Sequence, residues 1–144
     1  MSELKNNLLH RWFDEVWNKR RGEAIDQMAG PDVIAHGLVD AEGYKVVGRE
    51  AFKVFWHQFR TAFPDLRVEV HDGFADGDKV MVRCTVTGTH KGEGIGLAPT
   101  RKAVTFTGMC IAHVKNGKVV EAWNNFDFLG MHTQLGTLNL LANV

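Results

Sequence analysis

The chain reads as an α+β domain, a curved antiparallel sheet with helices on one face, and the reading rests on a change of period at Pro64. Before it, apolar residues recur at three- and four-residue spacings, the repeat of a helix face. After it they alternate with polar ones, the repeat of a strand. Helices first and a meander of strands afterwards is the order in which helices collect on one face of a sheet. At 144 residues, 44% of them hydrophobic, the length suits a single domain over 1–144.

Leu4, Leu8, Leu9, Trp12, Phe13, Val16 and Trp17 lie on one side of a first helix over Leu4 to Trp17. A second helix is expected over Glu23 to Met28, closed by "AGP", with Gly30 as a left-handed cap and Pro31 as a stop. The short strand "DVIAH" follows, then a glycine-containing loop. In "REAFKVFWHQFRTAFP" the residues Phe52, Phe55, Trp56, Phe59 and Phe63 form one stripe of a long aromatic helix ended by Pro64. "LRVEV" and "KVMVRCTVTGTH" then alternate cleanly, and two more such runs follow. "DGD" at Asp76 to Asp78 and "KNGK" at Lys115 to Lys118 read as hairpin turns. The longer loop "KGEGIGLAPTRK" reads as a rim or lid, with His90 and Lys91 in solvent; its G-x-G-x-G opens no helix, as a phosphate cradle would require.

Seventeen basic residues balance seventeen acidic ones, so no net field draws in nucleic acid or an anionic membrane. The cluster Lys19 to Arg21 suits a helix C-terminus. Cys84 and Cys110 sit in strand-like runs without CxxC spacing and are expected to be reduced core residues. With neither a secretory pattern at the N-terminus nor a membrane-length apolar window, a cytoplasmic protein is expected. Seven histidines show no HxH or HExxH spacing, so no metal is expected. No G-x-S-x-G elbow points to an acyl-enzyme hydrolase.

The "KNGK" hairpin decides which residues share a sheet face, because a one-residue slip turns every side chain over. A two-residue Asn116-Gly117 turn pairs Val114 with Val119 and leaves His113 and Asp127 on opposite faces. The alternative, which we adopt, is a three-residue loop over Lys115 to Gly117 with a bulge at Gly117. Thr107, Met109, Ile111 and His113 then share a face with Val119, Glu121, Trp123, Asn125 and Asp127. We take this to be the covered face, where polar groups need a purpose. Asn125 and Asp127 could cap a C-terminal helix opening at Phe128. They could also be the polar points of an apolar pocket.

The run from Gly88 to Gly136 resembles the SnoaL-like polyketide cyclases, a branch of the NTF2-like superfamily. It carries G-T-H-x-G, P-T-x-K, the Asn-Gly-Lys hairpin, E-x-W, a later Asp and Q-L-G. "DVIAHG", "GREAFKVFWHQFRTAFPDL" and the aromatic first helix fit the same layout. The resemblance implies an NTF2-like cone: a curved antiparallel sheet covered on its concave face by the N-terminal helices. It further implies an intramolecular aldol closure without cofactor, with Asp127 as acid/base and His113 close to it. Asn125 would help orient oxygens as enolate charge develops.

The expected guest is a small hydrophobic molecule. Phe13, Trp17, Phe55, Phe59, Phe63 and Trp123 would give flat walls that hold a planar chain folded, with Met109 beside them and His36 at the mouth. The bland readings are core aromatics and a strand-end His113. An epoxide hydrolase, dehydratase or isomerase of the same fold, and a binding module without chemistry, are the alternatives. A homodimer is expected through an outer face carrying Phe106, Val120, Ala122 and Phe126.

Overall fold

The computed structural model describes residues 7–138; the expected helical residues Leu4 to Asn6 lie outside that range. Helix α1 (Leu8–Trp12) opens on Asn7, whose Oδ1 accepts from the N–H groups of Leu9 and His10 at 2.9 and 3.2 Å. It continues as a π-helical turn, Phe13–Asn18, in which the Lys19 N–H reaches back to the Asp14 carbonyl at 2.8 Å. The wider turn still buries Phe13, Val16 and Trp17 together. At its end Asn18 behaves like a strand residue, donating to the Val68 carbonyl at 2.8 Å and accepting from its N–H at 2.7 Å.

Helix α2 (Glu23–Met28) runs straight into strand β1 (Ala29–Val39), because Ala29 is already extended. Gly30 and Pro31 are therefore strand residues, not the cap and stop read from "AGP", and the strand is more than twice as long as "DVIAH". The sequence reading also missed the short strand β2 (Lys45–Val47), antiparallel to β1. Helix α3 (Arg49–Ala62) buries Phe52, Phe55, Phe59 and Ala62 on one stripe, as its spacing predicts. Strands β3 (Arg67–Asp76), β4 (Lys79–Thr89), β5 (Ala103–Lys115) and β6 (Lys118–Phe126) form the expected meander. Helix α4 (Phe128–Leu135) follows β6 and closes on Gly136 at φ +76°, the left-handed cap that glycine favours.

The six strands lie in the order β2-β1-β6-β5-β4-β3. All pairs are antiparallel except β1 with β6, which lets the chain return from the helices to the middle of the sheet. The hairpin between β5 and β6 is the two-residue type: Asn116 and Gly117 have φ of +53° and +77°, and Lys115 pairs with Lys118. The three-residue loop adopted from the sequence is not formed. Val114 duly pairs with Val119, but the register shifts beyond it, so that His113 faces Glu121 and Ile111 faces Trp123. A bulge at Val120 thus does what the longer loop was expected to do. The expected face sharing survives, except for Val119, which is buried.

That shared face is the outer one. Pairing places Met109 beside Arg83, Thr107 beside Thr85 and Thr105 beside Thr87. Covering this parity would strand an arginine and a ladder of threonines away from water, at about 1 to 3 kcal/mol for each unpaired group. The opposite parity carries Val82, Cys84, Val86, Phe106, Cys110 and Ala112, and this set packs under α1 and α3. The expected dimer face is corrected accordingly: Phe106 and Ala122 are buried, and Phe126 turns inward against Phe13. Both cysteines lie in this core, and desolvation pushes each thiol up to about 12. No helix among the described residues is long and apolar enough to cross a membrane.

Candidate functional site

Between the concave face of the sheet and the helices lies an aromatic cavity of about 60 Å³. Trp12, Phe13 and Trp17 come from the first helix, Phe52, Phe55 and Phe59 from α3, and Phe106, Phe126 and Phe128 from the floor and far end. The rings brace one another: Trp17 stands edge-on to Phe52, Phe55 and Phe59 at centroid distances of 6.2 to 6.3 Å. Gly108 makes the floor possible, because the Phe126 ring lies where a Cβ at Gly108 would be.

Among the described residues, Asn124 is the one amide side chain in this lining, where the other groups with an N–H to offer are the indoles of Trp12 and Trp17. It projects inward because it shares the parity of Ala122 and Phe126. Its Nδ2 donates to the His36 carbonyl on the neighbouring strand at 3.1 Å. This junction needs glycine next door: Gly37 has φ +85°, and a Cβ there would run into the Asn124 carbonyl. One amide hydrogen thus anchors the side chain, leaving the other hydrogen and the oxygen without a protein partner among the described residues.

A second chamber, of about 210 Å³, adjoins the first at the mouth of the cone. Phe55, Phe59 and Phe128 belong to both linings and form the partition. The mouth adds Asp40, Gln58, Ile95 and His132. Asp40 Oδ1 accepts from the N–H groups of Glu42 and Tyr44 at 3.0 and 2.9 Å, closing the 40–44 turn. Gln58 holds the same turn, accepting from the Ala41 N–H at 2.9 Å and donating to Glu42 Oε2 at 3.1 Å. The glycine-rich loop forms the other rim, as expected, lying so close to α3 that a Cβ at Gly92 or Gly94 would meet the Thr61 or Gln58 carbonyl.

His90, expected in solvent, is fully buried beneath this loop, with its ring 5.4 Å from that of Phe63. Its Nδ1 accepts from the Thr100 N–H at 3.1 Å, which assigns the proton to Nε2. Nε2 has no partner among the described residues. Burial holds the His90 pKa below the ordinary value. His132 is depressed too, first by its own burial and then by the nearness of His90.

The residues expected to carry catalysis do not converge. Asp127 is exposed, and it caps α4: its Oδ1 accepts from the Gly130 N–H at 2.8 Å. It lies in a shallow outer depression with Arg83, Thr107, Met109 and Asn125. His113 pairs with Asp78 at 2.7 Å and faces Glu121, six residues and therefore roughly 20 Å along the strand from Asp127. Asn125 is exposed on the same outer face. The substrate wall divides as well. Phe13, Trp17, Phe55 and Phe59 line the aromatic cavity, and Phe63 is buried behind Phe59. Met109 and Trp123, at 47% and 43% exposure, are on the outside. His36 is outside too, stacked on Trp123 at 5.4 Å with its Nε2 2.6 Å from Glu121 Oε2.

Assigning Trp123 to the pocket side is what hid Asn124, since neighbours along a strand face opposite ways. His132 could have been found as the one titratable residue on the apolar turn "FLGMHTQL". Among the described residues, no three His, Cys, Asp or Glu side chains converge as a metal site would need.

A strongly curved sheet wrapped around helices, with its cavity inside the cone, defines the NTF2-like fold. Within that class the chain belongs to the SnoaL-like polyketide cyclase family, whose model matches residues 7–135. The chain is similar to a candidate SnoaL-like polyketide cyclase from Jannaschia sp. CCS1, with 25% identity over 89% of this chain and 88% of that one and a TM-score of 0.77. IdmH of Streptomyces antibioticus, a candidate polyketide cyclase, is 31% identical over 85% and 91% of the two chains, with a TM-score of 0.72. AclR of Streptomyces galilaeus, a candidate hydroxylase, is 30% identical over 87% and 76%, with a TM-score of 0.71. No curated protein matches the chain in sequence.

Proposed function

We propose that the cone is a reaction chamber for a compact apolar carbonyl compound, on which the protein carries out acid/base chemistry: ring closure of the aldol type or a related enolisation. The observation that carries this reading is Asn124, a single amide in an otherwise aromatic and aliphatic lining. Its uncommitted N–H can donate to a carbonyl oxygen, and the bond strengthens as enolate charge grows beside low-dielectric aromatic walls. A carbon between carbonyls is acidic enough that the chemistry itself needs only a positioned base of moderate strength. Membership of the cyclase family supports the same class of reaction.

Size narrows the guest. The inner cavity, about 60 Å³, has the volume of roughly two waters in the liquid, and sites for drug-sized ligands typically span about 300 to 1,000 Å³. The mouth adds about 210 Å³. These volumes favour a guest of one or two rings over an extended polycyclic ester, for which the partition of Phe55, Phe59 and Phe128 would have to open. A carrier without chemistry is the second reading, favoured by the lack of a titratable side chain in the inner lining among the described residues.

The test is an NMR titration with acetophenone, a one-ring ketone. The side-chain amide signals of Asn124 should move on binding, and Asn124→Leu should weaken binding about tenfold, the loss of one good hydrogen bond. Perturbation confined to outer-face residues such as Met109 and Trp123 would overturn the reading.

A further inference from the structure

We propose that His132 is the base of this chamber, taking a carbon-bound proton from the guest through Nε2 where the guest crosses from the mouth into the aromatic cavity. The inference rests on the chamber proposed above and adds the group that would do its proton transfer. Among the described residues, three polar side chains line the mouth: Asp40, Gln58 and His132. Asp40 and Gln58 are committed to holding the 40–44 turn. His132 has one nitrogen engaged and, among the described residues, no hydrogen-bond partner at the other. Its Nδ1 lies 2.7 Å from Thr137 Oγ1, and that hydroxyl is placed to donate to the His132 carbonyl at 3.3 Å. Thr137 then accepts at Oγ1, so Nδ1 carries the hydrogen and Nε2 keeps its lone pair.

The surroundings suit a base. Thr137 is itself buried, so the bond that orients the ring is shielded from water. Burial and His90 both disfavour the imidazolium, which keeps the free base at neutral pH. In the reaction the C–H bond beside a carbonyl breaks, its proton goes to Nε2 and its electron pair passes into the carbonyl as an enolate. The enolate carbon then bonds to a second carbonyl carbon, whose oxygen takes the proton back from Nε2. Nothing is oxidised or reduced, and no co-reactant is consumed.

The test uses 5-nitrobenzisoxazole, a compact bicyclic reporter of general-base action: removal of its ring C–H proton breaks the N–O bond and releases a coloured cyanophenolate. His132→Gln should lower kcat for this elimination by about 100-fold or more, the usual range for a general base, while Asp127→Asn leaves it unchanged. Thr137→Val, which frees the ring to change tautomer, should give an intermediate loss. Independently, nitrogen NMR of the wild-type protein should show His132 protonated at Nδ1. An Nε2–H tautomer, undiminished elimination in folded His132→Gln, or loss in Asp40→Asn instead would each overturn the proposal while leaving the chamber intact. Failure of the reporter to perturb the Asn124 amide would remove the chamber as well.

Discussion

Asp127 offers the sharpest division between a structural carboxylate and a catalytic one. Its Oδ1 satisfies one N–H at the start of α4, that of Gly130 at 2.8 Å. Replacing an N-cap Asp by Ala costs about 1 kcal/mol. With an unfolding entropy of about 2.1 cal/mol/K per residue, the whole chain comes to about 0.3 kcal/mol/K, so Asp127→Ala should lower Tm by about 3 °C. Asn keeps the acceptor and loses only the charge at the helix terminus, which in an exposed position is worth about 0.3 kcal/mol, or about 1 °C. Melting curves followed by circular dichroism give both shifts, and turnover of 5-nitrobenzisoxazole gives the catalytic arm. The reasoning is refuted if Asp127→Asn suppresses turnover tenfold or more at unchanged Tm, because the carboxylate would then reach the reacting atoms. An unchanged Tm in Asp127→Ala would equally contradict the cap.

Phe59 stands in the partition, with Phe63, Phe55, Trp17 and Phe128 at centroid distances of 5.2 to 6.2 Å. Phe59→Ala should cost about 3 to 5 kcal/mol and join the two chambers; calorimetric melting measures the cost, and binding of 2-acetonaphthone should tighten relative to acetophenone if the partition limits guest size. Stability should also fall with acidity. His90 and His132 have folded pKa values below the unfolded value of about 6.5, so on acidification the unfolded chain takes up protons first. The stability they contribute is therefore full above about pH 6.5 and is lost as pH drops from there through their folded values. Denaturant midpoints across that range should decline less in His90→Gln than in the wild type, and an equal decline would show that His90 is not the group responsible.

The α+β order, the aromatic stripe of α3 and the meander were legible because each depends on local periodicity. Phe52, Phe55 and Phe59 lie on one face of any helix that contains them, whatever it packs against. Leu4 to Trp17 reads as one helix for the same reason, yet the π turn over Phe13–Asn18 leaves no such mark. The hairpin shows how a reading can reach the right faces by a wrong path. Asn116-Gly117 has the composition of a two-residue turn and forms one, and the bulge at Val120 then restores the pairing of His113 with Glu121. Bulges depend on how the sheet coils against its neighbours, and no motif announces this one.

Which of the two strand faces is covered was open to a fuller sequence argument. The polar ladder of Arg83, Thr85, Thr105 and Thr107 already weighs against burying Trp123 and Asp127, whereas the acid between two phenylalanines taken alone favours it. The meeting of residues far apart in the chain was not open to any such argument. Asn124 reaches the backbone of His36, the turn at Asp40 docks on Gln58, and His90 is buried near enough to His132 to disfavour its protonation. Periodicity assigns a residue to a face because that follows from rotation per residue along one element. Cavity, mouth and tautomer arise from how separate elements pack, and that packing is decided by volume and hydrogen-bond satisfaction across the whole core.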